Sequence, residues 1–450
     1  MLNKEVKRPH VVIIGAGFGG LNAVKVFKRE PVSITLIDKT NHHLFQPLLY
    51  QVATSGLTPA DIATPIRFVL RHQQNVNVLL GEVLQINASR KCVALFDQEI
   101  TYDYLIVAAG ATHTYFGNDH WASIAPGLKT IAEAVEIRRR ILTAFETAEK
   151  CAGDHNREDI TTLVVIGGGA TGVEIAGAVA ELTRISMASD FRKIDPRKTR
   201  ILLIEAGPRL LPNMSEHSSK NALESLRKLG VEVLLNSPVT DLADHYLIAG
   251  GHRISTRTVI WSAGVVGSPL AKTLEAPLDN HGKVQVNEDL SIPAYPEIFV
   301  VGDLASFRQS SGDPVPGLAP AAIQEGRHAA RNILRLINGK STIPFRYFDK
   351  GTLATIGRSK AVADIGSLKL SNFFAWVIWL FTHIFFLIGF RNRFIVLIQW
   401  AWAYITYHTY SRLITYPWKP WVPGLPDRQV PDYPGCPCER ITSLGKPLRR

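Results

Sequence analysis

Three glycines near the start of the chain have the spacing that a dinucleotide pyrophosphate requires. The sequence GAGFGG occupies residues 15–20, between an apolar, strand-like run and a helical stretch. In such a turn Gly15 permits the tight bend, Gly17 lets the backbone approach a pyrophosphate, and Gly20 lets the helix pack on the strand. The helix N-terminus adds N–H donors for the phosphates. The next strand-like run ends at Asp38, whose carboxylate is expected to accept hydrogen bonds from a ribose.

The same pattern recurs in the middle of the chain. The sequence GGGATG occupies residues 167–172, so Gly167, Gly169 and Gly172 take the three roles described above. The strand after the following helix ends at Glu205, and the longer interval is explained by a polar, basic stretch that extends the helix or forms a loop. An acid at this strand end binds a 2′-hydroxyl and repels a 2′-phosphate, which favours NADH over NADPH. Two such motifs predict one tightly held flavin dinucleotide and one exchangeable nicotinamide dinucleotide.

Strands must alternate with helices to position both motifs, which predicts an α/β fold with two Rossmann-like domains. A chain of 450 residues is expected to form two or three domains. The formal net charge of +11 requires an acidic partner, either nucleic acid or an anionic membrane leaflet. Because the basic residues are scattered and form no nucleic-acid module, the membrane is favoured.

The C-terminal part supplies a second reason for a membrane partner. Residues 373–390 and 394–407 are apolar and rich in Trp and Tyr. The first run is barely long enough to span a bilayer, the second is too short, and a buried soluble helix would not need so many tryptophans. We therefore expect interfacial helices at about 371–416, with aromatic side chains at headgroup depth. Basic residues would add attraction to anionic headgroups, namely Lys360, Lys369, Arg412, Lys419 and Arg428.

The cysteines exclude one kind of redox chemistry. Cys92, Cys151, Cys436 and Cys438 show no zinc or iron–sulfur spacing, and we expect a reduced, cytosol-facing protein. No cysteine occurs in residues 45–56, where disulfide reductases of this architecture carry their redox pair. Thiol–disulfide exchange needs an attacking thiolate and a resolving partner, so electrons must leave the flavin directly for another acceptor.

Three further runs resemble the two-dinucleotide-binding-domain flavoproteins, whose architecture is glutathione-reductase-like. They are YDYLIVAAGA at 102–111, TVIWSAG at 258–264 and IFVVGD at 298–303. Within that superfamily the chain resembles the type II NADH:quinone oxidoreductases, which are single-subunit, non-pumping respiratory dehydrogenases. This resemblance rests on five sequences: NHHLFQPLLYQVAT at 41–54, GGGATGVE at 167–174, LAPAAIQEG at 318–326, DKGTLATIGRSK at 349–360 and LIGFRNR at 387–393.

The resemblance implies a discontinuous FAD-binding domain interrupted by the NADH-binding domain. Residues 1–125 would form the first part of the FAD domain and residues 126–280 the NADH domain. Residues 281–343 would complete the FAD domain, and residues 344–450 would form the membrane-anchoring region.

The resemblance also implies the residues of each site. The FAD site would comprise Gly15, Gly17, Gly20, Asp38, Lys39, Thr54, Ala109, Gly110, Gly302 and Asp303, the last holding the ribityl chain. The NADH site would comprise Gly167, Gly169, Gly172, Glu205 and Gly264. Quinone would meet Gln46, Gln51, Ala322, Ile323 and Gln324, and the catalytic residues would be Glu174, Gln324 and Lys350. The family often has two glutamines in the segment that is here residues 319–324. This chain has Pro320 in place of the first and Gln324 as the second, which leaves the choice of quinone open.

These inferences together predict an enzyme that oxidises NADH through FAD and reduces a membrane quinone by two electrons without pumping protons. A related flavoprotein with another acceptor, as in sulfide:quinone oxidoreductases, and an NADH-sensing membrane scaffold are the alternatives. The expected location is the cytoplasmic side of the inner or plasma membrane, as a peripheral, monotopic protein. The resemblance further implies a homodimer.

Overall fold

The computed structural model describes residues 8–151, 158–310, 312–406 and 411–415. Cys436, Cys438, Lys419 and Arg428 lie outside the described residues, as does part of the predicted helical segment at 371–416.

The α-helices of the described chain, in order, are α1 (Phe18–Val26), α2 (Leu49–Ala53), α3 (Pro59–Ile62), α4 (Ile66–Leu70), α5 (Ile131–Lys150), α6 (Ala170–Glu181), α7 (Glu216–Lys228), α8 (Ala319–Ile337), α9 (Asn372–Phe386) and α10 (Phe390–Thr406). The strands are β1 (His10–Ile14), β2 (Ser33–Asp38), β3 (His42–Leu44), β4 (Ala63–Pro65), β5 (Val76–Leu80), β6 (Gln85–Asn87), β7 (Cys92–Ala94), β8 (Glu99–Thr101), β9 (Tyr104–Val107), β10 (Ala111–His113), β11 (Thr162–Ile166), β12 (Arg200–Ile204), β13 (Val231–Leu234), β14 (Val239–Ala243), β15 (Tyr246–Ala249), β16 (His252–Ser255), β17 (Thr258–Trp261), β18 (Val265–Gly267), β19 (Val284–Gln285), β20 (Ser291–Ile292), β21 (Tyr295–Val300), β22 (Ala305–Ser306), β23 (Thr352–Thr355), β24 (Ala361–Ile365) and β25 (Leu368–Ser371).

The chain divides into two compact units. Unit 1 comprises Met1–Phe45, Ala63–Thr114 and Gly264–Lys350. Unit 2 comprises Gln46–Ile62, Tyr115–Ala263 and Gly351–Arg450, and so holds both the second glycine-rich motif and the C-terminal elements. The boundaries inferred above for the FAD and NADH domains stay a prediction.

Unit 1 is built on a six-stranded sheet of order β20-β21-β9-β1-β2-β5. The five strands from β21 to β5 are parallel to their neighbours, and only β20 is antiparallel. Fully buried Val, Ile and Leu side chains fill β1 and β9, as expected of a parallel sheet covered on both faces. The first glycine-rich motif and the end of the 298–303 run lie at the same edge of this sheet, because the carboxyl ends of parallel strands meet there.

Unit 2 repeats this arrangement with the parallel sheet β13-β12-β11-β17. The predicted α/β fold with two dinucleotide-binding folds is thus confirmed. The stretch after α6 continues as a wide helical turn at Leu182–Ser186 before β12, which accounts for the long interval between the second motif and Glu205.

The C-terminal part of unit 2 begins with the antiparallel sheet β23-β24-β25. Helix α9 packs on this sheet and also contacts α10, which follows after a turn at residues 387–389. None of the described helices is both long and apolar enough to cross a membrane.

Cys92 lies in β7 and is a buried free thiol, as the expectation of reduced cysteines has it. For the other cysteines that expectation stays a prediction.

Candidate functional site

The first glycine-rich turn has one glycine for ligand approach and two for close packing. Gly15 has φ +94°, and a Cβ there would lie 2.4 Å from the carbonyl oxygen of Ala108. A Cβ on Gly20 would lie 1.8 Å from the Gly15 oxygen, so neither position admits a side chain. Gly17, which precedes α1, differs because a Cβ there would meet no atom within 4 Å. The open space over Gly17 at a helix N-terminus fits a pyrophosphate.

Asp38 stabilises this turn from the end of β2. Its Oδ2 accepts a hydrogen bond from the backbone N–H of Ala16 at 2.6 Å. Its Oδ1 accepts from both the backbone and the hydroxyl of Thr40, at 2.7 and 2.8 Å. The carboxylate predicted to bind a ribose therefore also fixes the loop that would hold the phosphates.

A buried carboxyl supports the second motif predicted to contact FAD. Gly302 has φ +75° and precedes Asp303 in the turn after β21. The backbone N–H of Gly302 donates to Oε2 of Glu325 at 2.5 Å, and Glu325 is 3% exposed. Burial raises the pKa of Glu325 to about 7, and the charge of Asp303 adds to the effect.

The remaining residues predicted to bind FAD differ in their exposure and in the unit to which they belong. Gly110 has φ +69° and, like Gly17, faces open space, while Ala109 precedes it at the end of β9. Lys39 is exposed. Thr54 lies in unit 2, where its hydroxyl donates to the carbonyl oxygen of Tyr50 at 2.8 Å.

The second glycine-rich turn has the same geometry as the first. Gly167 has φ +108°, and a Cβ on Gly172 would lie 1.8 Å from its carbonyl oxygen. Gly169 precedes α6, and a Cβ there would meet no atom within 4 Å. This cradle fits the pyrophosphate of NADH. Gly264, also predicted for NADH, has φ +75° and lies in unit 1.

Glu205 corresponds to Asp38 in this second fold. Its Oε2 accepts from the N–H of Gly168 at 2.5 Å, and its Oε1 accepts from the N–H of Gly207 at 2.6 Å. The guanidinium of Arg209 donates to the carbonyl oxygen of Pro212. The carboxylate at the end of β12 is therefore held by two backbone donors beside the cradle.

Glu174 is a half-buried acid one turn into α6. Burial raises its pKa to about 8, partly offset by the N–H of Thr355, which lies 3.5 Å from Oε1. Burial raises the pKa of Tyr50 on α2 well above its usual value, and the carboxylate charge of Glu174 adds to this shift. Near neutral pH the carboxyl of Glu174 is mostly protonated and able to give up a proton.

Unit 2 also contains an apolar cavity, which we call the aromatic pocket. Its walls come from α2, α6, the β23–β24 turn, α9 and α10. The lining residues are Tyr50, Gln51, Thr54, Gly56, Ala178, Glu181, Leu182, Ile185, Ser186, Thr355, Gly357, Arg358, Trp376, Trp379, Trp400, Ala403 and Tyr404.

Ring contacts and hydrogen bonds join the walls of the aromatic pocket. Trp379 and Trp400 have ring centroids 5.2 Å apart, and Trp376 stacks on Tyr404 at 5.7 Å. The indole N–H of Trp400 donates to Oε1 of Gln51 at 2.8 Å. Large rings with a few placed polar groups are typical of sites for planar aromatic ligands.

Of the residues predicted for quinone, only Gln51 lines the aromatic pocket. Gln46 is exposed, and its amide donates to the carbonyl oxygen of Lys129 at 3.1 Å. The amide of Gln324 exchanges two hydrogen bonds of 3.0 Å with the backbone of Phe348 and so fixes that segment. Ala322, which is buried, and Ile323, which is half-buried, lie in unit 1 with Gln324. Lys350, which was predicted to be catalytic, also lies in unit 1 and is exposed.

The sequence analysis missed Glu181, Arg358 and Glu325. Glu181 lies seven residues, or two helical turns, after Glu174 on the same apolar helix. This spacing places both acids on one face of the helix and could have marked Glu181 as a candidate site residue. Glu325 follows Gln324 directly, within the sequence LAPAAIQEG at 318–326 that carried part of the resemblance. Arg358 gave no local signal.

Sequence profiles of two families match the chain. The profile of the pyridine nucleotide-disulphide oxidoreductases matches residues 9–326, and that of the NDH2 C-terminal domain matches residues 350–406. A type II NADH:quinone oxidoreductase of Mycobacterium tuberculosis is 45% identical over 416 residues, which cover 89% of this chain and 89% of that protein. The chain belongs to the type II NADH:quinone oxidoreductase family. The resemblance inferred from the sequence is thus confirmed.

Solved structures share the fold of this type II NADH:quinone oxidoreductase. NDH2 from Plasmodium falciparum in complex with NADH has a TM-score of 0.82 at 22% identity and covers 91% of this chain and 100% of its own. The sulfide:quinone oxidoreductase of Aquifex aeolicus has a TM-score of 0.69 at 19% identity, over 86% and 92% of the two chains. Because both reaction types occur on this fold, the fold alone does not separate them. The 45% identity favours NADH over sulfide as the electron donor.

Proposed function

We propose that this type II NADH:quinone oxidoreductase reduces its quinone in the aromatic pocket. The overall reaction follows from the family: NADH is oxidised through FAD, and a quinone takes up two electrons and two protons. The proposal adds the place where the quinone is reduced. It also retains the expectation that the reaction is not coupled to proton pumping.

The observation that carries the proposal is the composition of the aromatic pocket. Trp376, Trp379 and Trp400 provide flat apolar surfaces against which a quinone ring can stack. Gln51 places a polar group among them: its amide nitrogen donates to the Tyr50 hydroxyl and has a second N–H that suits a carbonyl oxygen of a quinone. An isoprenoid tail would follow the apolar surfaces of α9 and α10.

Each cofactor has a cradle built by the chain itself. The backbone over Gly17 and the carboxylate of Asp38 would hold the pyrophosphate and ribose of FAD, with Asp303 on the ribityl chain. The backbone over Gly169 and the carboxylate of Glu205 would hold the same groups of NADH. FAD, when bound, accepts a hydride from NADH and passes the electron pair to the acceptor.

Helices α9 and α10 would place the enzyme on a membrane surface. Large apolar side chains are exposed on both helices, among them Phe374, Phe381 and Phe385, which are 74%, 68% and 69% exposed. Arg391 and Arg393 lie at the start of α10 and suit anionic headgroups, and the guanidinium of Arg393 lies 5.9 Å from the ring centroid of Phe385. We include in the proposal a peripheral position on the cytoplasmic side and a homodimer. A monomeric mass in mild detergent would count against the dimer.

The test separates the two half-reactions in a variant whose pocket is filled. Ala178 lines the aromatic pocket from α6, so Ala178→Leu adds bulk there without removing a hydrogen bond. Anaerobic NADH should bleach the flavin of this variant at the wild-type rate. Reoxidation by a short-chain quinone should slow by about tenfold or more.

Ala132→Leu serves as the control because Ala132 is exposed at the start of α5. This variant should match wild-type protein in both half-reactions. Normal reoxidation of Ala178→Leu by quinone would show that the quinone reacts elsewhere. Bleaching without quinone reoxidation in the wild-type protein would remove quinone as the acceptor altogether.

A further inference from the structure

Glu181 is the acid in the wall of the aromatic pocket. It is the last residue of α6, two helical turns beyond Glu174, which places the two acids on one face and about 10 Å apart along the axis. Glu174 does not line the pocket itself, although Thr355, its hydrogen-bond partner, does. Glu181 is half-buried and lines the pocket.

The β23–β24 turn holds this carboxyl in place. The backbone N–H of Arg358 donates to Oε1 of Glu181, and a Cβ on Gly357 would lie 2.7 Å from the same oxygen. The guanidinium of Arg358 lies 4.1 Å from the ring centroid of Tyr404, and the hydroxyl of Ser359 donates to the Tyr404 hydroxyl at 3.2 Å. The turn thus connects α6 to α10 across the pocket.

The groups around Glu181 favour proton transfer from its carboxyl. Burial raises the pKa of Glu181, while Arg358 and Lys360 oppose that shift and stabilise the charge left after a proton departs. Tyr50 on α2 has a pKa well above its usual value and so retains its proton. His383 on α9, whose ring lies 4.4 Å from that of Trp379, has its pKa lowered by burial to about 4 and is neutral. Neither Tyr50 nor His383 is suited to give a proton near neutral pH.

We infer that Glu181 is the general acid that protonates a quinone oxygen in the aromatic pocket. The inference rests on the proposed function of that pocket. In the balanced reaction NADH gives up a hydride, which carries two electrons and one proton, and solvent supplies the second proton through Glu181. The O–H bond of Glu181 breaks as an O–H bond of the quinol forms, and water then reprotonates the carboxylate. The products are NAD⁺ and the quinol, with one proton on each oxygen.

The test compares a quinone with ferricyanide, an acceptor that takes one electron and no proton. Glu181→Gln keeps the size of the side chain and an oxygen that can accept from Arg358 N–H, but it has no carboxyl proton to give. We expect flavin bleaching by NADH and turnover with ferricyanide to be unchanged. Quinone-dependent reoxidation should slow about a hundredfold.

The pH profile distinguishes an acid from a structural residue. Wild-type reoxidation by quinone should fall as the pH rises through the pKa of the donating carboxyl, and this dependence should be absent in Glu181→Gln. Glu181→Asp should retain part of the rate, and Glu224→Gln, an exposed control on α7, should behave as wild type.

The outcomes separate this inference from the proposal on which it rests. If Ala178→Leu blocks quinone but Glu181→Gln reoxidises at the wild-type rate, the pocket is the site and Glu181 is not its acid. If Glu181→Gln also loses bleaching by NADH or turnover with ferricyanide, its role is structural and the inference is overturned. If Ala178→Leu has no effect, the proposed site fails first.

Discussion

The carboxyl of Glu325 on α8 accepts a hydrogen bond from the backbone N–H of Gly302, with 2.5 Å between Oε2 and N. The two residues are 23 positions apart and meet in unit 1 where α8 packs against the turn after β21. Gly302 is held at φ +75° immediately before Asp303. An acid with no direct place in the reaction therefore fixes the backbone of the residue expected to hold the flavin chain.

We predict that Glu325→Leu weakens the retention of FAD. The leucine leaves the buried N–H of Gly302 unpaired, at a cost of roughly 1–3 kcal/mol to the turn that carries Asp303. The flavin content after gel filtration should fall in Glu325→Leu. Glu325→Gln, whose amide oxygen can still accept, should retain the cofactor. Equal flavin content in the leucine variant and wild type would contradict the assigned role.

We predict that the protein loses stability as the pH rises from about 6.5 to 8. Below pH 6.5 this trend is opposed by His43 and His383, because burial lowers their folded pKa values to about 4. The folded pKa values of Glu325 and Glu174 are about 7 and about 8, raised by burial from 4.5. Between 4.5 and these values the folded state binds more protons than the unfolded state, so stability falls as the pH rises. The contribution of each acid is complete below pH 4.5 and is lost as the pH passes its folded pKa, for Glu174 at most about 5 kcal/mol.

Denaturant unfolding at a series of pH values checks this dependence. Glu174→Gln should flatten the part of the curve near pH 8, and Glu325→Gln the part below 7. A curve that rises over this range in the wild-type protein would show that these carboxyls are ionised in the folded state.

We predict that the exposed rings of α9 control membrane binding. Exchange of Phe374, Phe381 and Phe385 for serine should lower the partition onto vesicles of mixed neutral and anionic lipid by more than about tenfold, because each ring buried in the interface contributes roughly 1.5–3 kcal/mol. Flavin bleaching by NADH should remain normal. Phe96→Ser is the matched control, since Phe96 is 94% exposed but lies in unit 1. Undiminished vesicle flotation of the triple variant would place the membrane surface elsewhere.

Much of the fold was predictable because its signals are local. Strands β1 and β11 were read directly from apolar runs before the glycine-rich turns, and the acids ending β2 and β12 followed from the same pattern. Helix α1 begins at Phe18, within the glycine motif. A glycine turn, a helix start and a strand end each depend on a few neighbouring residues, so one sequence is enough to place them.

The aromatic pocket could not be predicted in the same way. Gln51, Glu181, Arg358 and Trp400 are far apart in the chain, and only folding brings them to one cavity. The tryptophans of the C-terminal helices were attributed to the membrane interface alone, yet Trp379 is 3% exposed in the pocket wall. For Gln324 the type of residue suggested a ligand, whereas the fold uses both ends of its amide to bind the backbone of Phe348.

We predict that two glycines of the second motif respond in opposite ways to alanine. Gly169 has φ −70° and open space at its Cβ position, so Gly169→Ala should fold normally and keep its flavin. The added methyl group occupies the space of the pyrophosphate, so the KM for NADH should rise about tenfold or more. Gly172→Ala places a Cβ 1.8 Å from the Gly167 oxygen and should destabilise unit 2 by roughly 3 kcal/mol.

Thermal unfolding and NADH titration of both variants check this contrast. The pair Gly17→Ala and Gly20→Ala repeats the comparison in unit 1, where loss of FAD rather than of NADH affinity should accompany Gly17→Ala. A Gly169→Ala variant with unchanged KM would show that the space over this turn does not hold the nucleotide. If the melting temperature of Gly169→Ala falls as far as that of Gly172→Ala, Gly169 has a structural role instead.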